Sequence, residues 1–183
     1  PFSNLDAELR DSLRNETKDI LKASGTTVIL VTHDQEEAFM LSDRIGLLNE
    51  GKLEQVGTPH QIYHNPSSRF VADFVGKAVF IKSTVQDGLL ASPLGNFSLG
   101  QQKLEVGSEV ELMIRPDDVT ISADPNGDAV VRSIKFLGAD ALYGIACANG
   151  IMLQALGLSS HVMPVGSRVS LKIQLPYTVC FPS

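Results

Sequence analysis

The spacing of hydrophobic residues changes near Lys77, and this change divides the chain into two parts. Before Lys77, apolar residues recur at helical intervals or in short continuous runs, which is typical of an α/β fold. After Lys77 they alternate with polar residues, and turn dipeptides such as Asp87-Gly88 and Asn149-Gly150 arrive about every 8–12 positions. We therefore predict an α/β part over residues 1–76 and an all-β barrel or sandwich over residues 77–183.

The α/β part is predicted to begin with a helix and a strand. Between Ala7 and Ser24 four apolar residues recur at helical spacing among charged ones, namely Leu9, Leu13, Ile20 and Leu21. Every residue of the run Thr27 to Thr32 is β-branched or apolar, which predicts a strand that is buried on both faces.

His33 follows the last residue of this predicted strand. Asp34, with Glu37 three residues later, predicts a helix N-cap with a capping box directly after the histidine. In an open α/β sheet the ligand lies outside the strand ends, so an imidazole at this position can hydrogen-bond a phosphate or a water molecule. The alternative is that His33 only caps the helix or bonds a backbone carbonyl.

Two further helices are predicted before the β part. Thr58, Pro59 and Gln61 form an N-cap, a first-turn proline and a capping-box partner, which places a short helix over Gln61 to His64. A second helix is expected from near Ser67 to Gly76, with one apolar face formed by Phe70, Val71 and Phe74. His60 and His64 are four residues apart, but no carboxylate or thiol nearby completes a metal site, so we interpret them as exposed helix residues.

Four consecutive segments resemble the ATPase subunits of ABC transporters. The run Ser3-Asn4-Leu5-Asp6-Ala7 is similar to their D-loop, and Val31 to Ala38 is similar to the segment that carries their switch histidine. Leu41 to Ile45 and Asn49 to Pro59 resemble the closing hairpin of the same domain in importers. The order and the spacing of these segments also agree with the family.

The resemblance implies ATP and Mg²⁺ as cofactors of the full-length protein and a catalytic role for His33 at the γ-phosphate or the attacking water. It implies that Ser3, Asn4, Leu5 and Asp6 cross the interface of an ATPase homodimer. Transmembrane permease subunits and an extracytoplasmic solute-binding protein are the implied partners. The implied location is peripheral, on the cytoplasmic face of the inner or plasma membrane.

Several motifs of that family are absent from these 183 residues. No Gly-x-x-x-x-Gly-Lys-Ser/Thr sequence occurs, and neither the signature motif nor the acidic pair that precedes a D-loop is present. The resemblance therefore implies a C-terminal fragment, which we expect to be inactive as an ATPase when it is isolated. His33 is then the catalytic residue that it supplies.

The β part carries a second resemblance. The sequence Ile114-Arg115-Pro116-Asp117-Asp118-Val119 is similar to a signature of the TOBE-type accessory domain, an oligonucleotide-binding-like (OB-like) barrel that follows importer ATPase domains. Considered by itself, Arg115 could pair with Asp117 or Asp118 at a strand end and act as a structural pin. The alternative is a contact between Arg115 and a ligand.

Composition excludes some function classes. A net charge of -6 and 6% aromatic residues argue against a nucleic-acid binder, which needs a basic surface and stacking platforms. No apolar run reaches the roughly 18 residues of a membrane span. Cys147 and Cys180 are too few for a disulfide scaffold and are expected to be buried free thiols.

Three functions from different classes remain open. The preferred one is an importer ATPase, and the segments Phe74 to Phe80 and Val179 to Pro182 resemble ferric-iron importer ATPases most, with polyamine, phosphonate or sugar importers as the alternatives. The second is a stand-alone β-barrel module that binds an oxyanion, a metal or nucleic acid. The third is a dimerisation or regulatory module with an inert α/β segment.

Overall fold

The computed structural model describes residues 7–100 and 102–183 of the chain. The chain forms two compact units, the first ending at Val75 and the second comprising Gly76–Ser183. No helix in the described part of the chain is long and apolar enough to span a bilayer.

The first unit contains four helices and one β-hairpin. In chain order they are α1 (Ala7–Ser24), α2 (Gln35–Leu41), β1 (Ile45–Asn49), β2 (Lys52–Gly57), α3 (Pro59–His64) and α4 (Arg69–Val75). The predicted closing hairpin forms, because β1 and β2 pair antiparallel and Glu50 and Gly51 both adopt positive φ between them. A small core of Ile45, Leu47, Ile62, Val71 and Val75 joins the hairpin to α3 and α4.

The predicted buried strand over Thr27 to Thr32 is not formed. Thr26 to Thr32 has no regular secondary structure, and Ile29 and Val31 are 87% and 88% exposed. A strand is stable only where neighbouring strands satisfy its backbone N–H and C=O groups. Among the residues that the structure describes, none pairs with this segment, so its apolar side chains face solvent.

Helix faces also differ from the predicted ones. Leu9 and Ile20 of α1 are exposed, and among the side chains that the structure describes on this helix the buried one is Arg14. In α4 the buried side chains are Val71, Ala72 and Val75, whereas Phe70 and Phe74 stack on each other at a centroid distance of 5.9 Å and stay partly exposed. The sequence pattern indicated where these helices form but not which of their faces is buried.

The capping box of α3 is formed as predicted. The Thr58 hydroxyl accepts from the Gln61 N–H, and the Gln61 side chain accepts from the Thr58 N–H. The helix begins at Pro59, two residues before the predicted start, because proline suits the first helical position. His60 is exposed and His64 is half-buried, and their ring centroids lie 4.4 Å apart.

The second unit is all-β, as predicted, apart from one 3₁₀ turn at Pro116–Asp118. Its strands are β3 (Val79–Gln86), β4 (Leu89–Ser92), β5 (Gly95–Ser98), β6 (Glu109–Ile114), β7 (Val119–Ala123), β8 (Ala129–Phe136), β9 (Asp140–Cys147), β10 (Met152–Leu158), β11 (Arg168–Ile173) and β12 (Cys180–Pro182).

The ten strands form two five-stranded antiparallel sheets. The orders are β12-β6-β3-β4-β5 and β10-β9-β8-β11-β7. In the second sheet β10 also contacts β7, the strand at the opposite edge, which curves the sheet towards a barrel. Side chains from both sheets share one hydrophobic core that includes Leu90, Leu112, Tyr143 and Ile145.

Arg115 lies at the junction between β6 and the 3₁₀ turn and is 2% exposed. Its guanidinium donates to the Lys77 carbonyl at 3.3 Å, and its backbone N–H donates to the Asp118 carboxylate at 2.8 Å. These contacts tie the start of the unit to the end of β6, which gives Arg115 a structural role through the Lys77 carbonyl and the Asp118 carboxylate. Burial raises the pKa of Asp118, and the Asp117 carboxylate adds to the rise, whereas the Arg115 N–H and guanidinium oppose it.

Candidate functional site

The candidate site is the bend where the extended segment Thr26 to Thr32 meets α2. His33 lies at this bend and its side chain is exposed. Asp34 is the N-cap of α2, and its Oδ1 accepts from the N–H groups of Glu36 at 2.9 Å and Glu37 at 3.2 Å. The predicted N-cap is therefore present, and it places the imidazole immediately before a fixed helix start.

The second half of the predicted capping box is replaced by a threonine. The Asp34 N–H donates to Thr32 Oγ1 at 3.0 Å instead of to the Glu37 side chain. Thr32 Oγ1 in turn donates to Glu37 Oε2 at 2.8 Å. The Thr32 hydroxyl can act as acceptor and donor at once, so Thr32, which precedes His33, is connected to Asp34, which follows it, and to Glu37 in α2.

A buried arginine joins this cap to α1. The Arg14 guanidinium lies 3.0 Å from Asp34 Oδ2, 3.6 Å from Glu36 Oε2 and 3.8 Å from Glu37 Oε1. Arg14 is 1% exposed and Glu37 is 2% exposed, so both charges are removed from water and require a partner of opposite sign. The planar guanidinium offers five N–H donors, which allows it to face several carboxylates.

Two more hydrogen bonds hold α2 in place. Lys18, one turn after Arg14 on α1, donates to the Met40 carbonyl near the end of α2. The Gln35 side chain donates to the Phe74 carbonyl in α4. Both ends of the short helix are therefore connected to other helices of the first unit.

The carboxylates that follow His33 in the sequence do not resemble a metal site. Asp34, Glu36 and Glu37 all face Arg14, and a divalent cation beside them would be repelled by the guanidinium. In the described part of the chain, no group of three or more His, Cys, Asp or Glu side chains is arranged to hold a metal ion. These residues therefore do not fit the Mg²⁺ that the resemblance implies.

The predicted interface residues Ser3, Asn4, Leu5 and Asp6 lie outside the described residues. The structure thus gives a position to His33 but not to this second segment. Sequence reasoning missed Arg14 and Thr32 as parts of the site, and it gave Glu37 only a place in the capping box. No local signal marked Arg14, because Arg10 and Lys18 occur at the same helical spacing on α1.

Both cysteines are free, as expected, and they are half-buried rather than fully buried. Burial raises the pKa of the Cys180 thiol to about 11. Burial, together with the negative charge of Asp128, also raises the pKa of the Cys147 thiol. A raised pKa favours the neutral thiol, which is a poor nucleophile and a poor metal ligand, so these residues serve the core of the second unit.

Comparison with known proteins supports the two resemblances. Residues 112–179 match the TOBE domain family. The chain is 40% identical over 163 residues to the spermidine/putrescine import ATP-binding protein PotA of Pseudomonas fluorescens, and this alignment covers 84% of the chain and 44% of that protein. PotA 1 of Pseudomonas aeruginosa is 42% identical with the same coverage.

A third relative is named for a different solute. The Fe(3+) ions import ATP-binding protein FbpC of Pseudomonas fluorescens is 34% identical over 94% of the chain and 51% of its own length. The chain spans about half the length of these curated relatives. Among solved structures, the molybdate-binding protein ModG is similar at a TM-score of 0.47 and 16% identity, over 65% of the chain and 99% of its own.

The three relatives described above are named as import ATP-binding proteins, and alignments of this extent reach into both units. The motifs that suggested an ABC-type ATPase and a TOBE-type barrel are confirmed by these independent matches. The chain therefore carries a TOBE domain and is related, over most of its length, to the ATP-binding subunits of ABC importers.

Proposed function

We propose that this chain acts within the ATP-binding subunit of an ABC importer, which couples ATP hydrolysis to the uptake of a small solute. In this proposal residues 1–76 form the C-terminal part of the ATPase domain, and residues 77–183 form the accessory domain. The observation that carries it is the alignment over 84% of the chain with import ATP-binding proteins, since an alignment of this extent contains the His33 bend and reaches into the TOBE match.

His33 is the catalytic residue in this proposal. Its exposed imidazole precedes a helix start that is held in place, so it can approach a nucleotide without rearrangement of α2. A neutral imidazole can donate one hydrogen bond to the γ-phosphate or accept one from the attacking water. Either contact helps most in the transition state, where charge develops on the transferred phosphoryl group.

The remaining parts of the proposal concern the assembly. Ser3, Asn4, Leu5 and Asp6 lie at the interface of an ATPase homodimer, and the Mg²⁺ that accompanies ATP is held by residues other than the carboxylates around Arg14. Permease subunits and an extracytoplasmic binding protein complete the importer. The chain is then peripheral, on the cytoplasmic face of the membrane.

For the solute we favour a polyamine over ferric iron. The relatives named for spermidine and putrescine are 40% and 42% identical to the chain, whereas the relative named for Fe(3+) ions is 34% identical. These identities outweigh the short segments that favoured ferric iron in the sequence. Ferric iron remains the second candidate, because that alignment covers a larger share of the chain.

An uptake assay tests the proposal. The importer, assembled with its permease and binding protein in vesicles, is supplied with labelled spermidine or labelled ferric iron, with and without ATP. We expect ATP-dependent uptake of spermidine that is lost in His33→Ala. Uptake of ferric iron alone would refute the assignment of a polyamine as the solute. Uptake that needs no ATP would refute the proposal that the chain belongs to an importer ATPase.

A second candidate function is a stand-alone binding or regulatory module. It is supported by the separate core of the second unit, which contains the whole TOBE match. It predicts that the chain binds a small oxyanion such as molybdate in calorimetry whether or not His33 is present. This candidate would be favoured over the importer ATPase if calorimetry showed saturable heat of oxyanion binding to the chain and if His33→Ala had no effect in the uptake assay.

A further inference from the structure

We propose that Arg14 and Thr32 are positioning residues for His33, acting through the carboxylates of Asp34 and Glu37. This inference rests on the proposed role of His33. It assigns to a buried cation on α1 and to a threonine hydroxyl the task of fixing where the imidazole stands. Neither residue is proposed to contact nucleotide.

The backbone on both sides of His33 is restrained. Thr32 precedes it and bonds both the Asp34 N–H and the Glu37 carboxylate. Asp34 follows it and caps α2 while it pairs with Arg14 at 3.0 Å. The one residue between two restrained neighbours has little backbone freedom left, although its side chain is exposed.

The network extends from the bend into another helix. The apolar residues before Thr32 have no regular structure, and Ile29 and Val31 are almost fully exposed, so this side provides little support. The described support comes from α1 through Arg14 and Lys18, and from α4 through the bond between Gln35 and the Phe74 carbonyl. Arg14 is thus the charged connection between the His33 bend and α1.

Lysine cannot fully replace Arg14 in this arrangement. Two guanidinium nitrogens face three carboxylates, with Nη2 directed at Asp34 and Glu37 and Nη1 at Glu36. A lysine ammonium is a single point charge and cannot present two separated nitrogens to these groups. We therefore expect Arg14→Lys to preserve the fold while it loosens the bend.

The first test uses the chain itself. Hydrogen exchange is measured for the amides of Asp34, Glu36 and Glu37 in Arg14→Lys and in Arg69→Lys as a matched control, because Arg69 forms an exposed pair with Asp73 at 3.7 Å. We expect exchange at these amides to rise at least about tenfold in Arg14→Lys and to stay unchanged in the control. Equal exchange in both variants would overturn the proposal.

The second test measures turnover in the assembled importer. Thr32→Val removes both threonine hydrogen bonds with little change in volume, whereas Thr32→Ser keeps the hydroxyl. We expect kcat for ATP hydrolysis to fall about 10-fold to 100-fold in Thr32→Val and in Arg14→Lys, with KM changed less than about twofold, because a misplacement near 1 Å has an effect of this size. Thr32→Ser is expected to restore kcat.

The two proposals fail in different ways. If His33→Ala leaves ATP hydrolysis unchanged, the function proposed for His33 is wrong. If His33→Ala abolishes hydrolysis while Thr32→Val and Arg14→Lys keep the wild-type kcat, only the positioning role is wrong. A rise in KM with unchanged kcat would also overturn positioning, since it would indicate an effect on nucleotide binding. Should Arg14→Lys fail to fold, the comparison of kcat between Thr32→Ser and Thr32→Val decides. Should Thr32→Val fail to fold, the exchange and turnover measurements on Arg14→Lys decide.

Discussion

Two substitutions of Asp34 distinguish its role as the N-cap of α2 from its role as the ion-pair partner of Arg14. Its Oδ1 caps α2 through the N–H groups of Glu36 and Glu37, and its Oδ2 pairs with the buried Arg14. Asp34→Asn can keep the cap through its carbonyl oxygen, but it removes the negative charge and directs an NH₂ group at the guanidinium. Asp34→Ala removes both the cap and the charge.

The expected size of each effect follows from the interactions that each substitution removes. Loss of an aspartate N-cap costs about 1 kcal/mol. Loss of a charge-assisted hydrogen bond costs about 1.5–3 kcal/mol, and Glu36 and Glu37 remain beside Arg14 to limit the loss. We therefore expect Asp34→Asn to destabilise α2 by about 1.5–2 kcal/mol and Asp34→Ala by about 2.5–3 kcal/mol, the two contributions being summed.

Native-state hydrogen exchange of α2 amides measures these values directly, because it reports the opening free energy of this helix separately from the second unit. Asp73→Asn is the matched control, since its partner Arg69 is exposed and such pairs contribute about 0–1 kcal/mol. If Asp34→Asn lowers the opening free energy by less than about 0.5 kcal/mol, the ion pair with Arg14 does not hold the helix, and the reasoning about the network is refuted.

Other predictions concern the second unit. Leu90→Ala, at a fully buried core position, should lower the free energy of unfolding in denaturant by about 2–5 kcal/mol. Leu158→Ala, at an exposed position, should lower it by less than about 0.5 kcal/mol. Similar losses in the two variants would contradict the assignment of Leu90 to the core. Because burial raises the pKa of Cys180 to about 11, this thiol should carry about 100-fold less thiolate at pH 8 than a thiol with the ordinary pKa of 9.0, so its alkylation should accelerate from pH 8 to pH 11. An alkylation rate that is flat over this range would contradict the raised pKa. Because burial raises the pKa of Asp118, the folded state binds the proton of this carboxyl group more tightly than the unfolded state. The stability that results is fully present below the pKa of the unfolded state, and it is lost as pH rises through the pKa of the folded state. Unfolding at pH 4.5 and pH 7 should therefore show wild type losing stability relative to Asp118→Asn as pH rises, and the opposite trend would refute the raised pKa.

Local signals predicted much of the fold. The cap at Thr58 and the N-cap at Asp34 depend on a few adjacent residues, and each forms where the sequence indicates. The hairpin that turns at Glu50 and Gly51 was expected from the resemblance to importer ATPases. The change of period near Lys77 likewise predicted an all-β second part, because strand alternation is a local property of the chain.

Features that depend on distant residues were not predictable in this way. The run Thr27 to Thr32 has the composition of a buried strand, but a strand also needs paired neighbours, and the described residues provide none. Phe70 is as apolar as Val71, and only the position of the hairpin decides which of the two is buried. The network of Arg14 joins residues 20 or more positions apart, which no local pattern reveals.

The measurement that tests the importer function most directly is ATP hydrolysis by the assembled importer carrying His33→Ala, with nucleotide binding measured in parallel. Loss of a preorganised contact to the reacting phosphoryl group typically costs about 3–4 kcal/mol, so turnover should fall on the order of 100-fold or more while the Kd for ATP stays within about twofold. Hydrolysis by His33→Ala within about twofold of wild type would contradict the catalytic role of His33 and leave it as a residue that only precedes the cap of α2.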